Sequence, residues 1–213
     1  MAVPPVAPIT LGETFTFLFL LLGPVKILGP FISLTKDDEP PSRRRLAVRA
    51  TLFSAAALAA AALAGETLLA NFRIRLQVLA ISAGLVLLLT ALDTVLRQFR
   101  TPAGAEINQP KASPDRAVRP LAFPIIVTPS GIAAVIIFVS LSQGPEGVLM
   151  IGALIALVLV LDLVAMLFAR PVVKWLGMPL LVLGVVLGVI QVALGLNIIL
   201  VNLSAIGVFT MTR

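Results

Sequence analysis

The chain has 213 residues, 59% of them hydrophobic and 12% charged, with a mean hydropathy of +1.10. A soluble domain is about 45–50% apolar and about 25% charged, so this composition suits a surface that faces lipid and excludes an ordinary water-soluble fold. Without Cys, His or Tyr there are no thiol nucleophiles, imidazole bases or disulfides, and none of the usual nitrogen and sulfur ligands of zinc, copper and iron.

The expected fold class is an all-α integral membrane protein of about six transmembrane helices. Several apolar runs reach the ~20 residues that an α-helix needs to cross ~30 Å of hydrocarbon, and ten-residue alternating strands are absent. Met1 to Leu22 carries only Glu13 and no basic segment, so a cleaved signal peptide is not expected.

The first span is expected from Thr14 to Leu34, with Gly-Pro steps at Gly23-Pro24 and Gly29-Pro30. A charged loop, Lys36 to Arg45, leads to an Ala-rich second span from Leu46 to Ala64. Asn71 to Arg75 reads as a polar turn before the third span, Leu76 to Leu96. Arg97 to Arg119, rich in Pro, Gly and charge, reads as a flexible linker, so that residues 1–96 and 120–213 form two three-helix units.

The fourth span, Leu121 to Leu141, is interrupted by Pro124 and by Thr128-Pro129-Ser130-Gly131. Gln143 to Gly147 is expected to turn, Val148 to Ala169 to form the fifth span, and Leu176 to Val208 to supply the sixth. Trp175 beside Lys174 suits an interface anchor. Thr51, Ser54, the alanines through Ala64, Gly184 and Gly188 give small-residue faces for close helix approach.

Basic residues set the expected orientation. Lys36, Arg43, Arg44, Arg45, Arg49, Arg97, Arg100, Lys111, Arg116, Arg119, Arg170 and Lys174 fall in three loops, against Arg73, Arg75 and Arg213 on the other side. The first group should be cytoplasmic and both termini outside, in the plasma (inner) membrane. The net charge of +6 lies in short loops without interleaved aromatics, which points to anionic lipid headgroups and away from nucleic acid. A homo-oligomer is compatible with the sequence.

The two halves repeat weakly. Pro24 lies 105 positions before Pro129, and Gly84 and Asp93 lie 104 before Gly188 and Asn197. Three spans per half would put the halves in opposite orientations, an inverted repeat with broken helices one and four. Such a break frees backbone N–H and C=O groups that hydrocarbon cannot satisfy, so it must face protein or a polar solute. Gly23, Pro24, Lys26, Thr128, Pro129, Ser130 and Gly131 are therefore the candidate substrate-binding residues. The competing reading of each break is a packing kink.

Charges inside spans cost ~2.5–3.5 kcal/mol each and seek partners. Lys26 and Asp162 fall at equal depth, about 10–12 Å from the cytoplasmic ends of their spans, and form a candidate charge pair; snorkelling is the alternative for Lys26. Asp93 can pair with Arg97 at i,i+4, while Gln191, Asn197 and Asn202 suit either interhelical hydrogen bonds or a cavity lining.

The segment GPVKILGPFISLT (Gly23 to Thr35) resembles NPxGxxPxFxxLT, a first-span pattern of the MarC family of inner-membrane proteins. FRIRLQVLAISAGLVLLLTALDTV (Phe72 to Val95) is similar to its FxIxLxxFxIAGGxLLFxIALDML, and PLAFPIIVTPSGI (Pro120 to Ile132) to its PLAxPLLAGPGAI. The resemblance implies a six-span fold and kinship with exporters of amino acids and metabolites, one archaeal relative being described as a small neutral amino-acid transporter. The chain departs from the pattern where Gly23 replaces Asn, Lys26 replaces Gly, the next Pro shifts to Pro30, and Thr128-Pro129-Ser130 replaces Gly-Pro-Gly.

The expected function is a secondary transporter, an exporter of small amino acids or similar metabolites by alternating access. The alternative is a non-transporting scaffold or lipid-binding protein. An intramembrane enzyme would have only Ser130, Lys26 and Asp162 to work with; no catalytic residue, metal or cofactor is expected.

Overall fold

The computed structural model describes residues 10–99, 121–122, 125–142 and 144–208. The linker from residue 100 onward, Pro124 and Gln143 lie outside the described residues. Among the described residues, seven α-helices follow in order: α1 (Leu11–Leu22), α2 (Val25–Leu34), α3 (Pro40–Asn71), α4 (Leu76–Phe99), α5 (Pro129–Leu141), α6 (Gly144–Leu167) and α7 (Ala169–Ala205). α1 and α2 make one broken crossing, Leu11–Leu34; with α3, Leu76–Leu96, α6 and Val182–Ala205 this gives, among the described residues, five helices long and apolar enough to span a membrane, while α5 is a shorter apolar helix.

Several boundaries differ from the sequence expectation, each for a local reason. α1 begins at Leu11 rather than Thr14 because Thr10 and Glu13 form a capping box: Glu13 N–H donates to Thr10 Oγ1 (3.3 Å) and Thr10 N–H donates to Glu13 Oε2 (2.8 Å). α3 absorbs much of the expected charged loop. Pro40 and Pro41 fill its first turn, where a missing N–H costs no helical bond and φ is already fixed. It also outruns Ala64, ending only where Arg73 turns left-handed at φ 53 and Ile74 N–H donates back to Leu69 O (2.9 Å). The expected loop between spans five and six is reduced to Phe168, because Pro171 falls in the first turn of α7 and interrupts nothing. Arg170 and Lys174 thus stand on a helix.

The most extensive contact joins α4 and α7. Gly84 and Gly195 let the two backbones touch: a Cβ on Gly84 would lie 2.9 Å from Gly195 O, and one on Gly195 would lie 2.8 Å from Gly84 O. Further along, a Cβ on Gly84 would meet Ile199 Cγ1 at 3.1 Å and one on Gly188 would meet Val95 Cγ2 at 2.9 Å. Positions rise on one helix as they fall on the other, so the pair is antiparallel. Gly188 serves close approach as its residue type suggests; Gly184 does not, having nothing within 4 Å, and the glycine that matters most is Gly195.

The remaining contacts form a connected bundle. α3 packs on α6 and α5, α4 on α5, α7 on α2, and α6 on both α1 and α2. Leu18, Leu22, Ile27, Phe31, Val135 and Val158 are among its buried core. Phe17 meets Phe138 edge to face at 5.6 Å, tying α1 to α5. Leu63, Leu149 and Trp175 are exposed, as a lipid-facing surface requires.

The crossing makes a contrast that thermal unfolding in detergent can read. Gly195→Ala should lower stability by roughly 1–3 kcal/mol, because its methyl group meets backbone that cannot yield. Gly184→Ala should be neutral or gain up to about 1 kcal/mol, since it adds helix propensity in open space.

Candidate functional site: the junction of two broken helices

The first break is a chemical consequence of Gly23-Pro24. Gly23 is extended (φ −73, ψ 172), and its N–H still donates to Phe19 O at 2.8 Å. A Cβ here would collide with that same carbonyl oxygen, so the position holds only glycine. Pro24 has no N–H, so Leu20 O loses its normal i+4 donor. The repair comes from another helix: Gln191 Nε2 of α7 donates to Leu20 O.

α2 then restarts at Val25 without a side-chain cap, placing Lys26 in its first turn. Its far end is closed by Thr35, whose Oγ1 donates to Phe31 O at 2.8 Å. Arg170 Nη2 donates to Thr35 O (3.2 Å) and Lys36 O (2.9 Å), setting a cation at the negative end of the helix.

The second break precedes α5. Val127 N–H donates to Ala122 O at 2.9 Å, an i→i−5 bond of the π type often found at functional sites. Thr128 caps α5, its Oγ1 accepting from Gly131 N–H at 3.1 Å and lying 3.3 Å from Ser130 Oγ. Pro129 occupies the first turn and is exposed, whereas Ser130 and Gly131 are buried. A Cβ on Gly131 would lie 2.7 Å from Leu22 Cδ2, so the end of α1 and the start of α5 touch.

Asp162, on α6, is fully buried, and among the described residues neither carboxylate oxygen has a hydrogen-bond partner. The charge that acts on it is that of Lys26, which is partly buried on the neighbouring α2. The direct hydrogen bond that a closed pair would make is absent from the Asp162 carboxylate. Ser54, on α3, is likewise buried with an unpartnered Oγ.

Other polar residues stand apart from the junction. Asp93 and Asn197 are exposed on α4 and α7, and the side chain of Arg97 lies outside the described residues. Asn202 Nδ2 donates to Ile198 O (2.8 Å) within its own helix, so it does not bridge helices. Sequence reasoning placed Arg170 only among the basic loop residues, without its role at the end of α2, and gave Gln191 no partner. The signal for Gln191 was present: a proline inside a span orphans one carbonyl and calls for an amide donor elsewhere.

A family model described as MarC family integral membrane protein matches residues 9–206. The chain belongs to the MarC family. Among its relatives, the UPF0056 inner membrane protein YhgN of Escherichia coli K12 is 30% identical over 139 residues, covering 65% of this chain and 68% of its own. A UPF0056 membrane protein of Archaeoglobus fulgidus is 28% identical over 167 residues, covering 77% of this chain and 78% of its own. No solved structure matches the chain. As in other MarC proteins, then, the bundle is integral to a membrane, and both of the breaks that frame the junction fall inside the matched region.

The repair of Leu20 O can be tested by a double-mutant cycle. Gln191→Leu should cost roughly 1–3 kcal/mol by leaving a partly buried carbonyl unsatisfied. In a Pro24→Ala background, which restores an N–H at position 24, the same substitution should cost clearly less, as thermal melts would record.

Proposed function

We propose that this MarC protein is a secondary transporter of small amino acids or similar metabolites, an exporter working by alternating access around the paired breaks. The observation that carries the reading is the meeting of two interrupted helices inside the bundle, Leu22 against Gly131, with a buried unpartnered carboxylate on α6, a helix that packs against α1, α2 and α5. Broken helices in corresponding positions of two halves mark the substrate site in inverted-repeat transporters.

The contacts support an inverted repeat, in which residues 14–96 and 121–208 superpose by a rotation of about 180° around an axis in the membrane plane. A shift of 104 positions carries the Gly84–Ile199 contact onto Gly188–Val95. Exchanging the halves likewise turns α4 on α5 into α7 on the first crossing, and α3 on α5 into α6 on the first crossing. Such a relation lets the junction open to either side by similar motions.

The E. coli relative is named an inner membrane protein, which favours the plasma membrane here as well. The basic residues favour cytoplasmic placement of the linker and external termini. Reporter fusions within residues 97–119 should therefore be active only with cytoplasmic reporters; a periplasmic linker would reverse the topology.

Counterflow in proteoliposomes tests transport. Labelled alanine or glycine should accumulate in vesicles preloaded with the unlabelled compound, and Gly131→Val, which fills the junction at Leu22, should abolish the signal. Absence of counterflow across a panel of small neutral amino acids and related metabolites would leave the alternative, a non-transporting scaffold or lipid-binding protein.

A further inference from the structure

We infer that Lys26 and Asp162 are the two poles of a binding site for a small zwitterion, whose carboxylate is taken by the Lys26 ammonium at the start of α2 and whose ammonium is taken by Asp162. The inference names the residues that select the ligand in the proposed transporter, and rests on the transport reading only for the translocation step after binding.

Asp162 is the stronger anchor of the argument. Its carboxylate is fully buried with both oxygens unpartnered among the described residues, although a carboxylate offers about four acceptor positions and is strongly penalised when buried without donors. A donor-rich group, such as a primary ammonium, would relieve that deficit. On α2, which packs against α6, stands the opposite pattern. Lys26 occupies the first turn of α2, a helix whose N-terminus has no side-chain cap and therefore favours an anion.

The two poles act on each other electrostatically, yet no hydrogen bond from Lys26 reaches the carboxylate. A singly charged ligand would satisfy one pole and leave the other with a like charge beside it. A molecule carrying both charges on groups bonded to one carbon satisfies both and adds no net charge to the bundle. Buried apolar residues lie near both poles along their own helices, Leu22 and Ile27 near Lys26 and Val158 and Leu159 near Asp162.

Binding is read in detergent, where no flux is needed, by the thermal stability of the full chain with alanine, propionate or alaninamide at equal concentration. Alanine should raise Tm in a saturable way, whereas propionate and alaninamide, each lacking one charge, should not. Asp162→Asn and Lys26→Gln should each weaken the response to alanine by roughly 10- to 100-fold, the loss of one charge-assisted hydrogen bond. The inference is overturned if alanine has no effect, if either singly charged analogue stabilises the wild type as well as alanine does, or if both variants respond to alanine as the wild type does. Should a variant fail to fold, the wild-type comparison of the three ligands decides alone. Alanine binding without counterflow would sink the transport reading and leave the site standing; counterflow indifferent to both substitutions would do the reverse.

Discussion

Hydrocarbon cannot hydrogen-bond, and the bundle depends on meeting that constraint wherever a helix stops inside it. Each interruption has an identifiable repair, and the two repairs differ because the prolines sit differently. Pro24 falls where an N–H is needed, so it orphans the carbonyl of Leu20, and only a donor from another helix, Gln191, can reach it. Pro129 falls at the first position of α5, where an N–H would be free in any case, so the neighbouring Thr128 suffices as a cap. The first break is thereby bound to α7, while the second is closed locally.

This difference has an energetic corollary. The Gln191 bond spans two helices, so it can persist only while α1 and α7 keep their present relation, whereas the Thr128 cap moves with α5 as a unit. Arg170 adds a second tie from α7 to the same broken crossing, at the other end of α2. α7 therefore grips the first crossing at two levels, through one amide and one guanidinium.

The membrane class and the positions of both breaks were legible in the sequence, because hydropathy, Gly and Pro act locally; of the six spans expected, five are, among the described residues, helices long enough to cross and α5 is a shorter apolar helix. Lys26 and Asp162 read at one depth because a helix rises by a fixed amount per residue, while among the described residues no hydrogen bond reaches the Asp162 carboxylate. Helix ends were less legible. Charge in Lys36 to Arg45 reads as loop, yet Pro40-Pro41 and the arginines after it are compatible with a helix once it stands clear of lipid. The roles of Gln191, Arg170 and Gly195 could not be read from spacing, because each depends on which helix lies opposite, and that is decided by packing across more than a hundred positions of chain.

The contact of Gly84 with Gly195 is made almost entirely of backbone. Around it the branched side chains of Ile198 and Ile199 close on Gly84, and Val95 closes on Gly188. Each missing side chain is thus a notch that a branched one on the facing helix fills, so the α4–α7 crossing resembles a mortise joint, set in separation and in register by the same few residues.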